Sequence, residues 1–127
     1  MTGIRILYVD DEPDIRLIVE MALKLRPEID VRTAASGEEA LTMLADRSWR
    51  PGLMMVDVMM PGLSGPDLLE RLRADPDLAG IPVAFVTARA RSQDIADYIA
   101  RGAIGVVTKP FDPMSLADEV IGLLRRR

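Results

Sequence analysis

Short apolar runs rich in β-branched residues alternate along the chain with longer stretches in which apolar residues recur every three or four positions. The first run, Ile4-Arg5-Ile6-Leu7-Tyr8-Val9, stops abruptly at Asp10-Asp11-Glu12-Pro13. Pro13 suits the first turn of a helix, where its missing N–H costs nothing. Ile15, Ile18, Val19, Ala22 and Leu23 follow at helical spacing and predict one buried stripe, with Pro27 closing the helix. Residues 30–34 read as a second strand, and Ser36-Gly37-Glu38-Glu39 as a capping box opening a helix with Ala40, Leu41 and Leu44 inward. A third strand over 53–56 runs into Asp57. A loop with Pro61, Gly62, Gly65 and Pro66 leads to a helix carrying Leu68, Leu69 and Leu72. Residues 81–86 form a fourth strand ending at Thr87, and Ser92 is expected to cap a helix with Ile95, Ala96 and Ile99 inward. Residues 105–108 form a fifth strand ending at Lys109, after which Asp112-Pro113 opens a last helix bearing Leu116, Val120, Leu123 and Leu124.

These are five strand–helix units with short connections. Strands this apolar are covered on both faces, as in a parallel sheet, and right-handed crossovers distribute the helices over both sides. The expectation is an α/β, doubly wound (βα)5 sandwich forming a single domain over residues 1–127, without internal repeat, linker or low-complexity tract.

Composition narrows the chemistry. A chain of 127 residues buries roughly two-thirds of the surface its unfolded form exposes. No apolar run approaches the ~20 residues that span a bilayer, and the first residues lack the pattern of a signal peptide, so a cytoplasmic protein without a membrane partner is expected. Without cysteine there is no disulfide framework, thiol nucleophile or thiolate metal site. Without histidine no His-dependent triad, His-ligated zinc site or phosphohistidine carrier can be built from this chain. A net charge of −4 argues against unaided nucleic-acid binding, which needs a basic face.

What remains collects just past the strand ends: Asp10-Asp11 after the first, Asp57 after the third, Thr87 after the fourth and Lys109 after the fifth. Ligands of open α/β sheets bind in that crevice, where strand order reverses. If strands one and three are neighbours there, three carboxylates converge. Such a cluster needs a cation or raised pKa values, and Mg²⁺ favours one or two carboxylates together with a phosphate. A divalent ion and Lys109 balance three acids, and phosphoryl transfer asks mainly for positioning and neutralisation. Each residue also has a plainer reading. Asp10-Asp11 can be a helix cap, Asp57 a turn residue, Thr87 a locally satisfied hydroxyl and Lys109 a solvated lysine. Gly62 and Gly65 read as conformational, the methionines as core filling, and Arg125-Arg126-Arg127 as complements to a helix C-terminus.

Val9-Asp10-Asp11-Glu12, Met55 to Gly62, Val86-Thr87-Ala88 and Thr108-Lys109-Pro110-Phe111, in this order at strand ends, resemble the receiver family of two-component signalling, the CheY-like response regulators. The resemblance runs from Ile4 to Leu124. It implies a flavodoxin-like sheet in the order 2-1-3-4-5 and Asp57 as the acceptor of a phosphoryl group from a kinase phosphohistidine. Asp11 and Asp57 would bind Mg²⁺ (or Mn²⁺) directly, Asp10 would hold a metal-bound water, and the Met59 carbonyl would complete the protein ligands. Lys109 would pair with one phosphoryl oxygen and Thr87 with another, moving inward as the switch, and Lys109-Pro110 would be cis. The implied partners are a histidine kinase or histidine phosphotransfer protein upstream, and a downstream protein or a missing effector domain. The domain would be a self-phosphorylating switch with slow autodephosphorylation.

Three positions depart from the family pattern. Val106 stands where many members carry an aromatic switch residue, Met59 where polar side chains are common, and Arg89 where an acid occurs. Met59 and Arg89 are expected to tune aspartyl-phosphate lifetime. A Mg²⁺-dependent phosphatase or phosphotransferase with an aspartyl nucleophile is a second reading, although such enzymes commonly need an acid where Met59 stands. A non-phosphorylated receiver-like adaptor is a third, and its usual signature, loss of an acid or the lysine, is missing here.

Overall fold

A computed structural model describes residues 3–126. Its elements follow in strict alternation: β1 (Ile4–Val9), α1 (Pro13–Leu23), β2 (Ile29–Ala34), α2 (Gly37–Leu44), β3 (Leu53–Asp57), α3 (Gly65–Ala74), β4 (Val83–Thr87), α4 (Ser92–Ala100), β5 (Gly105–Thr108) and α5 (Leu116–Arg126). All strands pair in parallel in the order β2-β1-β3-β4-β5. β3 and β4 are buried along their whole length, as the unbroken apolar runs require. β2, at an edge, alternates buried Ile29 and Val31 with exposed Asp30 and Arg32.

Each face of the sheet carries its own core. Leu7, Val9, Met54, Val56 and Phe85 meet Ala40 and Leu44 of α2 and Leu68, Leu69 and Leu72 of α3. On the other face Ile6, Tyr8, Met55, Val86 and Val107 meet Val19, Ala22 and Leu23 of α1 and Leu116, Val120 and Ile121 of α5. β1 and β3 are adjacent, with Val9 opposite Val56, so the connections that follow β1 and β3 run in opposite directions, to β2 and to β4, and open a crevice above the pair.

Several local expectations change. α1 ends at Leu23 and a tight turn carries the chain to Pro27; Ile18 is exposed rather than buried. At α2 only half of the capping box forms: Ser36 Oγ accepts the Glu39 N–H at 3.0 Å, but the Glu39 carboxylate reaches the N–H of Ala35. The reciprocal box occurs at α3, between Ser64 and Asp67. Ser92 lies inside α4 behind the N-cap Arg91, which makes no side-chain cap. None of the α4 side chains is fully buried, Ile99 is 50% exposed, and Tyr98 turns inward, its ring meeting Phe85 edge-on at 5.0 Å. α5 starts at Leu116, because Asp112 first closes a turn by accepting the Met114 N–H. Arg125 and Arg126 occupy the last turn of α5, and Arg127 lies outside the described residues.

Candidate functional site

The strand ends deliver their polar residues to one place. Asp10 follows β1, Asp57 closes β3, Thr87 closes β4 and Lys109 follows β5. Oxygens of Asp10, Asp11 and Asp57 lie within 4.8 Å of one another. The Lys109 ammonium stands 3.2 Å from Asp10 Oδ2 and 3.4 Å from Asp57 Oδ2, with Glu12 at 4.0 Å. Asp10 is 0% exposed and Asp57 6%, while Asp11 faces solvent. Buried charges this close demand compensation, and Lys109 is the cation that supplies it.

Local hydrogen bonds set the orientations. Asp10 Oδ1 accepts the Glu12 N–H at 3.0 Å, a local turn before the helix rather than a cap, since the N-cap of α1 is Glu12 and carries no side-chain cap, while Oδ2 turns to the site and also accepts the Tyr8 hydroxyl at 2.6 Å. Asp57 Oδ1 accepts the Met59 N–H at 3.3 Å. Thr87 Oγ1 accepts the Arg89 N–H at 3.0 Å, leaving its own proton available to a ligand. The β4 carbonyl of Thr87 accepts the Lys109 N–H at 2.9 Å, and the Lys109-Pro110 bond is cis. Gly65 lets α3 start directly behind the acceptor loop: a Cβ there would lie 2.6 Å from the Asp57 carbonyl oxygen. Gly62 takes a positive φ of 72°, which favours glycine.

The electrostatics follow from burial. Desolvation, then the charge of Asp10, pushes the Asp57 carboxyl up to about 6 against the opposing pull of Lys109. Burial pulls the Lys109 ammonium down, but Asp10 and then Asp57 outweigh it and hold it above its ordinary value. Burial and the bond to Asp10 push the Tyr8 phenol far up, so that it remains a donor.

A cleft of about 420 Å³ opens over Asp57 and is walled by Thr87, Lys109, Met59, Arg89 and Tyr98. The structure thus brings together Asp10, Asp11, Asp57, Thr87 and Lys109, with Met59 and Arg89 at the mouth. Val106 lies on β5 opposite Phe85, outside the walls of the cleft. Tyr8 and Tyr98 carry no motif. For Tyr8 the available signal is its position two residues before Asp10, a spacing that puts both on the same side of an extended chain. For Tyr98 it is three positions from Ile95 on one helix.

A doubly wound sheet with three carboxylates and a lysine in its switch-point crevice has the parts that phosphoryl transfer asks for. The sequence profile of the response regulator receiver domain matches residues 6–121. The chain belongs to that family, the phosphoryl-accepting switch domains of two-component signalling. It is 39% identical over 123 residues to the DNA-binding response regulator MtrA of Mycolicibacterium smegmatis, covering 96% of this chain and 51% of that protein. It is 34% identical to the phosphate regulon regulatory protein PhoB of Pseudomonas aeruginosa, covering 99% and 54%. The chain therefore spans about half the length of these relatives. Among solved structures, the chemotaxis regulator CheY4 of Vibrio cholerae superposes with a TM-score of 0.86 at 29% identity, over 96% of this chain and 99% of that one. A putative response regulator of Chloroflexus aurantiacus gives 0.84 at 31%, over 98% and 100%. No helix of the described residues is long and apolar enough to cross a membrane.

Proposed function

We propose that residues 1–127 act as one receiver domain in which Asp57 is the phosphoacceptor. The observation that carries this reading is the Lys109 ammonium held between Asp10 and Asp57, beside a third carboxylate, at the end of the sheet. The Asp57 carboxylate attacks phosphorus, the bond from phosphorus to the donor nitrogen breaks, and an aspartyl phosphate forms. Lys109 pairs with one oxygen of the transferred group and the Thr87 hydroxyl donates to another. The close set of three carboxylate oxygens fits a hard divalent cation: Asp11, Asp57 and the Met59 carbonyl would hold Mg²⁺ or Mn²⁺, supported by Asp10. Such an ion supplies neutralisation of the crowded acids and of the arriving charge.

The donor is a phosphohistidine on a histidine kinase or histidine phosphotransfer protein. An apolar groove of about 350 Å³, lined by Ile15, Ile18, Phe111 and Pro113, adjoins the crevice through Ala88 and Lys109 and offers such a protein a contact surface. The output runs through Thr87 and the segment 88–91 into α4, which buries no side chain fully and is therefore a low-cost element to shift. A downstream protein or an effector domain reads the change. The relatives named DNA-binding regulators favour a DNA-binding effector, with no nucleic-acid contact by this acidic domain. The expected location is the cytoplasm. Catalysis is confined to self-phosphorylation and slow loss of the phosphoryl group to water, a loss that Met59 and Arg89 modulate. Turnover of a small phosphate ester is not favoured, since the residue two after Asp57 is Met59, 78% exposed and apolar. The test is phosphoryl transfer from acetyl phosphate with Mg²⁺ or with EDTA: stoichiometric labelling in Mg²⁺ alone supports the reading, and a folded protein that stays unlabelled overturns it.

A further inference from the structure

Asp10 is the most completely tethered residue of the site, and one tether comes from a residue without any assigned role. Its N–H donates to the Ala34 carbonyl at 3.1 Å and its carbonyl accepts the Arg16 guanidinium at 2.8 Å. Oδ1 accepts the Glu12 N–H, and Oδ2 is shared between the Lys109 ammonium at 3.2 Å and the Tyr8 hydroxyl at 2.6 Å. Tyr8 is wholly buried among Ile6, Val19, Met55 and Val120. A phenylalanine would fill that apolar core with the same ring, and only the hydroxyl distinguishes tyrosine from it.

We propose that Tyr8 is a positioning residue for the cation site: its hydroxyl fixes the orientation of the Asp10 carboxylate, so that Asp10, Asp11 and Asp57 present their oxygens together. This rests on the reading of that cluster as the cation site of the receiver. Asp10 would stand behind the direct ligands and hold a water bound to the ion, and loss of such outer support typically costs 10–100-fold in affinity. Without the Tyr8 hydroxyl, Asp10 Oδ2 keeps Lys109 as its one partner. The ammonium is then drawn from Asp57 towards Asp10 and competes there with the ion.

The experiment is calorimetric titration of the unphosphorylated protein with Mg²⁺, together with the rate of labelling by acetyl phosphate as Mg²⁺ is varied. Tyr8→Phe, which removes one oxygen, is expected to weaken Mg²⁺ about 10-fold. The Mg²⁺ concentration for half-maximal labelling rises by the same factor, while the rate at saturating Mg²⁺ stays within about threefold of wild type. Tyr8→Leu also lacks the hydroxyl and gives the same reading if the phenylalanine variant does not fold. Met55→Ala, which loosens the same core opposite Tyr8, is expected to melt earlier but to keep wild-type Mg²⁺ affinity. Unchanged affinity in both Tyr8 variants overturns the proposal, as does equal weakening in Met55→Ala. A wild-type protein that takes up no Mg²⁺ overturns the cation site itself, an outcome visible before any variant is compared.

Discussion

The ammonium of Lys109 lies 3.4 Å from the carboxylate of Asp57, although 52 positions separate the two in sequence. The parallel order of β3, β4 and β5 closes that gap: Asp57 sits opposite Val86, and Thr87 opposite Thr108. The sheet therefore stores a cation against the group that must later carry extra negative charge.

Lys109→Met leaves Asp10 and Asp57 facing each other without their shared cation. In EDTA the variant is expected to lose about 3 kcal/mol of stability, the scale for breaking a buried ion pair. Its Mg²⁺ affinity should rise, because a competing cation is gone, while labelling by acetyl phosphate falls. Chemical denaturation and calorimetry check the three signs together. Stability and metal affinity moving down in parallel would contradict the electrostatic account.

The raised pKa of Asp57 gives a pH signature. The folded protein holds this proton more tightly than the unfolded chain, so the contribution favours folding at pH values below the ordinary 3.8 and is lost as pH rises through about 6. Asp57→Asn removes the charge. In EDTA its stability to denaturant should exceed that of wild type by a margin that widens from pH 4 to 7 and then levels, reaching about 3 kcal/mol. A margin independent of pH would show that burial and Asp10 do not act on Asp57 as described.

Gly65 is where the acceptor loop and α3 touch. Gly65→Ala drives a methyl group against the Asp57 carbonyl and is expected to cost about 1–3 kcal/mol and to slow labelling. Gly80→Ala, whose Cβ meets nothing within 4 Å, should stay within about 0.5 kcal/mol of wild type. Thermal melts of the pair separate close approach from a general cost of losing glycine.

Met59 and Arg89 both wall the cleft over Asp57, the route by which water reaches a phosphoryl group there. Met59→Asn and Arg89→Glu, made separately, are expected to change the rate at which the labelled protein loses its phosphoryl group. Identical decay in both variants and wild type would remove them from that role.

Much of this was legible along the chain. Unbroken apolar runs at β3 and β4 marked a sheet covered on both faces, and polar residues stopping each run marked the crevice. The failures have physical causes. Ile95, Ala96 and Ile99 are apolar neighbours on a helix, but apolar spacing does not say how far the helix stands from the sheet; α4 packs shallowly, through Tyr98 onto Phe85. The capping box at Ser64 escaped because its N3 residue is Asp67 rather than glutamate. Tyr8 read as ordinary core, since an apolar run hides which member carries a hydroxyl that needs a partner.

The most direct measurement is the intact mass of the protein after exposure to acetyl phosphate and Mg²⁺, followed by mapping of the modified peptide. A gain of one phosphoryl unit on the peptide containing Asp57, lost in Asp57→Ala and in EDTA, is the expected result. Labelling that persists in Asp57→Ala, or a folded wild-type protein of unchanged mass, would contradict the assignment of Asp57 as the acceptor.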